Sequence, residues 1–143
     1  MTCTFFGHRS VLKEVEPLLT ATLIDLIENK NVDRFYVGNH GGFDFMVQIK
    51  LKDLRKRYPH IKYYVVLAYI PTKKYEYSDY SDTIYPSVLD GVPAQAKIVE
   101  RNKWMIKNSD FVVTHVLRSI GGAAEFKALA EKKGKVVINL TNP

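Results

Sequence analysis

Short β-rich runs alternate with amphipathic helical stretches along this sequence, and that alternation restricts the fold more than any other feature. Residues 2–6 and 34–37 read as strands, and 63–68 is nearly all apolar, as a strand covered on both faces should be. Residues 111–115 and 136–140 complete the set. Between them, Leu12, Val15, Leu18, Leu19 and Leu26 recur at helical spacing, as do Phe43, Met46, Val47, Leu51 and Leu54 before Pro59 stops the second helix. A third helix is expected over 94–108. A short fourth carries Phe126, Leu129 and Ala130 and ends at Gly134. Five strands alternating with four helices predict an α/β, Rossmann-like three-layer sandwich: a parallel sheet with right-handed crossovers and helices on both faces.

The pattern lapses from residue 71 to about 93. This stretch carries Tyr75, Tyr77, Tyr80 and Tyr85 with several Asp and Ser, and it is long for a connection in one domain. It reads equally as a lid or binding element and as a solvated excursion. The 143 residues suffice for a single domain over 1–143 with its own core. No apolar run approaches the ~18 residues that cross a bilayer, and no cleavable leader is recognisable at the start, so a cytoplasmic chain without a membrane partner is expected. Cys3, the only cysteine, excludes an internal disulfide and a cysteine-based metal cluster, and reads as a small buried strand residue. The net charge of +6 favours an anionic partner only weakly, because many lysines fall on helix faces that must be solvated anyway.

In an open parallel sheet, ligands sit outside the carboxyl ends of the strands, where the strand order reverses. With the order 3-2-1-4-5, three loops meet there: Gly7-His8-Arg9, Gly38-Asn39-His40-Gly41-Gly42-Phe43-Asp44 and Arg118-Ser119-Ile120-Gly121-Gly122. Both glycine pairs stand just before a predicted helix, where backbone N–H groups and the positive helix end can approach a phosphate. They serve equally well as tight strand-to-helix turns. Neither is a G-x-G-x-x-G fingerprint or a P-loop.

Single side chains add detail. Arg9 can fork onto a phosphate or carboxylate. His8, His40 and His115 read as hydrogen-bonded structural histidines, and no spacing among them suggests a metal site. Ala94, Ile98, Arg101 and Met105 share one helical face, so Arg101 points inward and needs acceptors there. Asp44, Asp110 and a ligand phosphate or sugar are its three candidate partners. Glu125 opens the last helix, where the helix dipole favours a carboxylate regardless of function. No cofactor is indicated.

The opening TCTFFGHR, the turn YVGNHGGFD, the strand YYVVLAYIP and the closing SIGGAAEF resemble the YpsA-like branch of the SLOG superfamily, named for the Smf/DprA and LOG proteins. The four motifs occur in order over essentially the whole chain. The resemblance implies a Rossmann-like fold of order 3-2-1-4-5 whose glycine-rich edge binds a nucleotide or nucleotide-derived ligand. The LOG phosphoribohydrolases carry M-x-x-R-K and then S-D. Here Arg101 matches the arginine, Asn102 replaces the lysine, and Ser109-Asp110 follow. Their P-G-G-x-G-T-x-E-E turn is matched only at Gly121-Gly122, with Ile120 in place of the proline and Glu125 where the threonine would stand.

Three functions are ranked from these residues. The first is a nucleotide-ligand binding domain or sensor using Gly7, His8, Arg9, Gly38, Asn39, Gly41, Gly42, Asp44, Ser119, Gly121 and Gly122, with Arg101 as anion clamp. The alternative is a phosphoribohydrolase that cleaves a nucleoside 5′-monophosphate, with Glu125 and Arg101 as its catalytic pair. Single-stranded nucleic-acid binding comes last, because Glu76, Asp79, Asp82 and Asp90 in the tyrosine-rich stretch would repel phosphates. The expected partner is a small nucleotide-like molecule rather than a nucleic acid, and a homodimer fits the family.

Overall fold

A computed structural model describes residues 1–70 and 82–140. Its elements are β1 (Thr2–Gly7), α1 (Val15–Asn29), β2 (Arg34–Val37), α2 (Gly42–Arg57), β3 (Lys62–Val66), β4 (Thr83–Ile84), α3 (Lys97–Lys107), β5 (Phe111–His115), α4 (Gly122–Lys132) and β6 (Val136–Asn139), with 3-10 turns at Ser87–Leu89 and Ala94–Ala96. All strand pairs are parallel, and the sheet order is β4-β3-β2-β1-β5-β6. Without β4 this is the expected 3-2-1-4-5 order. The sixth strand is two residues long, too short to show periodicity, and it falls in the stretch expected to be loop. It forms because the N–H groups of Val65 on β3 and Leu67 just after it reach the carbonyls of Asp82 and Ile84 at 2.9 and 2.8 Å.

Alternation along the strands sorts the core into two layers. Cys3 and Phe5 of β1, Phe35 and Val37 of β2, Val65 of β3 and Val113 of β5 face α1 and α2. Leu19, Leu23 and Leu26 of α1 and Val47, Leu51 and Leu54 of α2 close that side. The intervening residues Phe6, Tyr36, Val66 and Val112 face Met105 and Ile106 of α3 and Ala130 of α4. Cys3 is fully buried, as expected, and burial pushes its thiol well above the ordinary cysteine range. The first helix starts later than its leucine spacing suggested. Leu12 precedes it and is 65% exposed, and Leu18 on its outer face is 44% exposed. No helix among the described residues is long and apolar enough to cross a membrane.

Candidate nucleic-acid interface

The strand order reverses at β1, whose neighbours are β2 on one side and β5 on the other. The loops leaving β1, β2 and β5 therefore converge over the carboxyl edge. A cleft of about 700 Å³ opens there, floored by Phe6, Met105 and Phe126 and walled by Ile98, Arg101 and Asn102 of α3. Of the residues anticipated from sequence, Gly7, His8, Arg9, Asp44, Arg101 and Gly122 line it. Gly38, Asn39, Gly41 and Gly42 do not line it: the first two lie against Arg101 and the glycine pair against Arg9. Ser119 and Gly121 are exposed beside the cleft. Glu125 is exposed and does not line the cleft.

The two glycine pairs have different environments. The Gly42 N–H donates to the Arg9 carbonyl at 2.7 Å, and the Phe43 N–H to the His8 carbonyl at 3.4 Å. A Cβ on Gly42 would stand 2.5 Å from the Arg9 oxygen, and Gly41 holds φ at 96° against the Arg9 backbone. The start of α2 is thus spent on the β1 loop, and its glycines allow that close approach. Gly121 also has a positive φ, 110°, but a Cβ on Gly121 or Gly122 would meet nothing within 4 Å. At the start of α4 no side chain caps the helix, and the N–H groups of Gly122, Ala123 and Ala124 find no acceptor among the described residues. This helix end is open toward the cleft, with its partial positive charge unmatched.

His8 locks the loops together. Its Nε2 accepts the Leu117 N–H at 2.9 Å, which leaves the ring proton on Nδ1. Burial and Arg118 hold this ring's pKa below the usual histidine value. Beneath it His115, 2% exposed, sits between His8 (ring centroids 5.7 Å apart) and Phe43 (5.9 Å), with neither ring nitrogen hydrogen-bonded. Of the histidines expected to be hydrogen-bonded, His115 is the exception.

Arg101 is 2% exposed, and its inward direction was correctly read from helical spacing. Its guanidinium donates to the Val66 carbonyl (2.7 Å), Asn102 Oδ1 (2.7 Å) and Asn39 Oδ1 (3.4 Å), and meets His40 Nδ1 at 3.2 Å. Asp44 Oδ2 accepts the His40 N–H at 2.9 Å and lends Arg101 a nearby negative charge without an ion pair. Burial still raises the Asp44 carboxyl to about 6. Gly38 packs against both, since a Cβ there would lie 2.7 Å from Asp44 Oδ2 and 3.2 Å from Arg101 Nη2. Asp110, the other candidate partner, is occupied elsewhere, accepting the Thr2 N–H at 3.0 Å.

Arg118 and His40 also line the cleft, and neither was singled out from sequence as a ligand contact. The signal available for Arg118 was its place in the loop after β5, which borders the same cleft as the Arg9 loop. Both arginines are exposed and form no ion pair among the described residues. Among the described residues Asp44 is the only carboxylate in the lining, and it is buried.

A parallel sheet with its cleft at the β1–β5 reversal defines a Rossmann-like α/β domain. The chain shares its fold with DNA processing protein A from Streptococcus pneumoniae, at a TM-score of 0.69 and 15% identity over 96% of this chain and 49% of that one. It likewise superposes on DNA processing protein A from Helicobacter pylori, which has a single-stranded DNA binding mode, at a TM-score of 0.64 and 16% identity over 97% of this chain and 64% of that one. The chain therefore spans less than two thirds of either protein. No protein-family model and no curated protein matches the sequence.

These findings correct the functional ranking. The sequence ranks a nucleotide-ligand sensor first, a phosphoribohydrolase as its alternative and nucleic acid as an improbable partner, yet the proteins sharing this fold over nearly the whole chain process DNA. The geometry agrees with the correction at two points. Glu125, the carboxylate required for glycosidic cleavage, faces solvent. Asp82 and Asp90, counted against nucleic acid, flank β4 and its following turn at the sheet's far edge and do not line the cleft. Glu76 and Asp79, with Tyr75, Tyr77 and Tyr80, lie outside the described residues.

Proposed function

We propose that this chain, acting as one domain, binds single-stranded nucleic acid in the cleft at the carboxyl edge of its sheet. One observation carries the reading: among the described residues Arg9 and Arg118 face the cleft without ion pairs, next to an α4 N-terminus whose first N–H groups are unclaimed. Phosphates are the natural acceptors for such a set, and the backbone of a single strand presents them in series. Tyr69, 40% exposed and edge-on to His40 at 6.4 Å, offers a ring against which an unpaired base can pack. The fold shared with the Helicobacter pylori protein supports the same reading. Arg101 serves as a positioning residue, because it ties α3 to the loop after β2 and to the end of β3. Within the SLOG superfamily, the four ordered sequence motifs favour the YpsA-like branch.

The test is fluorescence anisotropy of a labelled single-stranded oligonucleotide across a salt series. Binding should weaken with salt, and Arg9→Ala or Arg118→Ala should each reduce the slope of log K against log salt by about 0.7, the value for one lost phosphate contact on a single strand. An oligonucleotide that stays unbound at low salt refutes the proposal.

A further inference from the structure

A second depression lies on the face covered by α3 and α4. It is a groove of about 550 Å³ with Ile106 and Leu129 on its floor and Lys103, Lys107, Lys133 and Lys135 around it. Lys103 is paired with Glu100 at 3.5 Å, while the other three form no ion pair among the described residues. Among the described residues no carboxylate lines the groove. Complementing helix dipoles accounts for Lys107 in the last turn of α3 and Lys133 at the end of α4. It does not account for Lys103, a turn earlier, or for Lys135, which follows the positive-φ turn at Gly134 and leads into β6.

From this arrangement we infer that the groove is a docking site for an acidic peptide segment of a partner protein, with an apolar side chain seated on Ile106 and Leu129 and carboxylates among the lysines. A nucleic-acid strand suits the groove less well. Among the described residues the lining has no aromatic ring on which a base could stack and no arginine fork for a phosphate, whereas an apolar floor inside a cationic rim complements an acidic segment with an apolar anchor. The groove uses Lys107 and Lys133, near the carboxyl ends of α3 and α4, whereas the cleft uses Ile98 and Gly122, near their amino ends. The inference is independent of what the cleft binds.

The probe is a fluorescein-labelled peptide with a Leu-Phe pair flanked by short runs of Glu and Asp, titrated with the full chain. Binding should be salt-sensitive, weaker for a Ser-Ser version of the peptide, and reduced roughly tenfold or more by Lys107→Glu with Lys133→Glu. An unchanged melting temperature shows that this variant folds. If it does not, Lys107→Gln with Lys133→Gln removes the same charges more gently and should also weaken binding. The proposal is overturned by no binding, by equal binding of the two peptides, or by equal binding to the variant. It is also overturned if the lysine substitutions weaken a single-stranded oligonucleotide and leave the peptide unaffected, because the groove would then belong to nucleic acid.

Discussion

Nη2 of Arg101 lies 3.2 Å from Nδ1 of His40. A guanidinium only donates, so the imidazole nitrogen must accept, and His40 is neutral with its proton on Nε2. Burial, Arg101 and Arg9 all hold its pKa below the usual value, in keeping with that assignment. The contact joins the middle of α3 to the loop after β2, and with the bond to Val66 it fixes one wall of the cleft.

Removing this guanidinium should cost more than any surface substitution. Arg101→Ala leaves the Val66 carbonyl without its donor and Asp44 without its nearby cation, a loss of about 2–4 kcal/mol. Arg101→Lys keeps the charge but cannot hold the fork, and should fall between alanine and wild type. Urea unfolding measures both. An alanine variant as stable as wild type would show that the network contributes nothing net.

The two glycine pairs should respond differently to the same small change. Gly42→Ala drives a Cβ toward the Arg9 carbonyl oxygen, now 2.5 Å away, and should destabilise by about 1–3 kcal/mol. Gly122→Ala meets open space and should be neutral or slightly stabilising, since alanine suits a helix better than glycine. Gly122→Trp should remain folded yet obstruct oligonucleotide binding. Thermal melts with anisotropy separate the two effects, and a destabilised Gly122→Ala contradicts the open helix end.

Asp44 gives a pH signature of defined sign. Its carboxyl is raised from 3.8 to about 6, so the folded chain holds this proton more tightly than the unfolded one. The stability it contributes is fully present below 3.8 and is lost as pH rises through about 6. Asp44→Asn escapes that loss and should gain on wild type between about pH 4 and 7, reaching roughly 1–3 kcal/mol at neutrality. Parallel melting curves over that range would expose the error if the difference were constant.

His115 acts in the opposite direction. Burial first, then His8, depresses its pKa below 6.5, so the unfolded chain takes up a proton before the folded one does. Stability tied to neutral His115 is present above 6.5 and is lost as pH falls below it. His115→Leu removes two buried nitrogens that have no partner, and should stabilise by about 1 kcal/mol and flatten the acid side of the melting profile. His8 and His40 are also depressed, so part of the slope should persist. An unaltered acid limb would mean that water or a shifted ring satisfies His115.

Local pattern was enough to identify the layered α/β class, because strand and helix periods of apolar residues are written into neighbouring positions. Arg34–Val37 and Phe111–His115 match the expected strands residue for residue. The inward face of Arg101 was legible for the same reason, since helical spacing alone turns it toward the sheet. Charge, the glycine turns and the loop ends were also legible, and so was the sheet edge at which the cleft opens.

What those residues do there was decided by contacts between segments far apart in sequence. Both glycine pairs look alike in the chain. Only folding presses Gly41-Gly42 against Arg9 and leaves Gly121-Gly122 open. The partners of Arg101 lie 62, 61 and 35 residues away at Asn39, His40 and Val66, beyond the reach of any local rule. Strand β4 exists only because β3 offers unpaired N–H groups at the sheet edge. Glu125 shows the same limit: the helix turns it to solvent, and among the described residues the cleft keeps arginines, free N–H groups and the one buried carboxylate of Asp44. Residue types and their periods lie in the sequence itself, whereas approach, burial and mutual satisfaction of polar groups arise when distant segments meet.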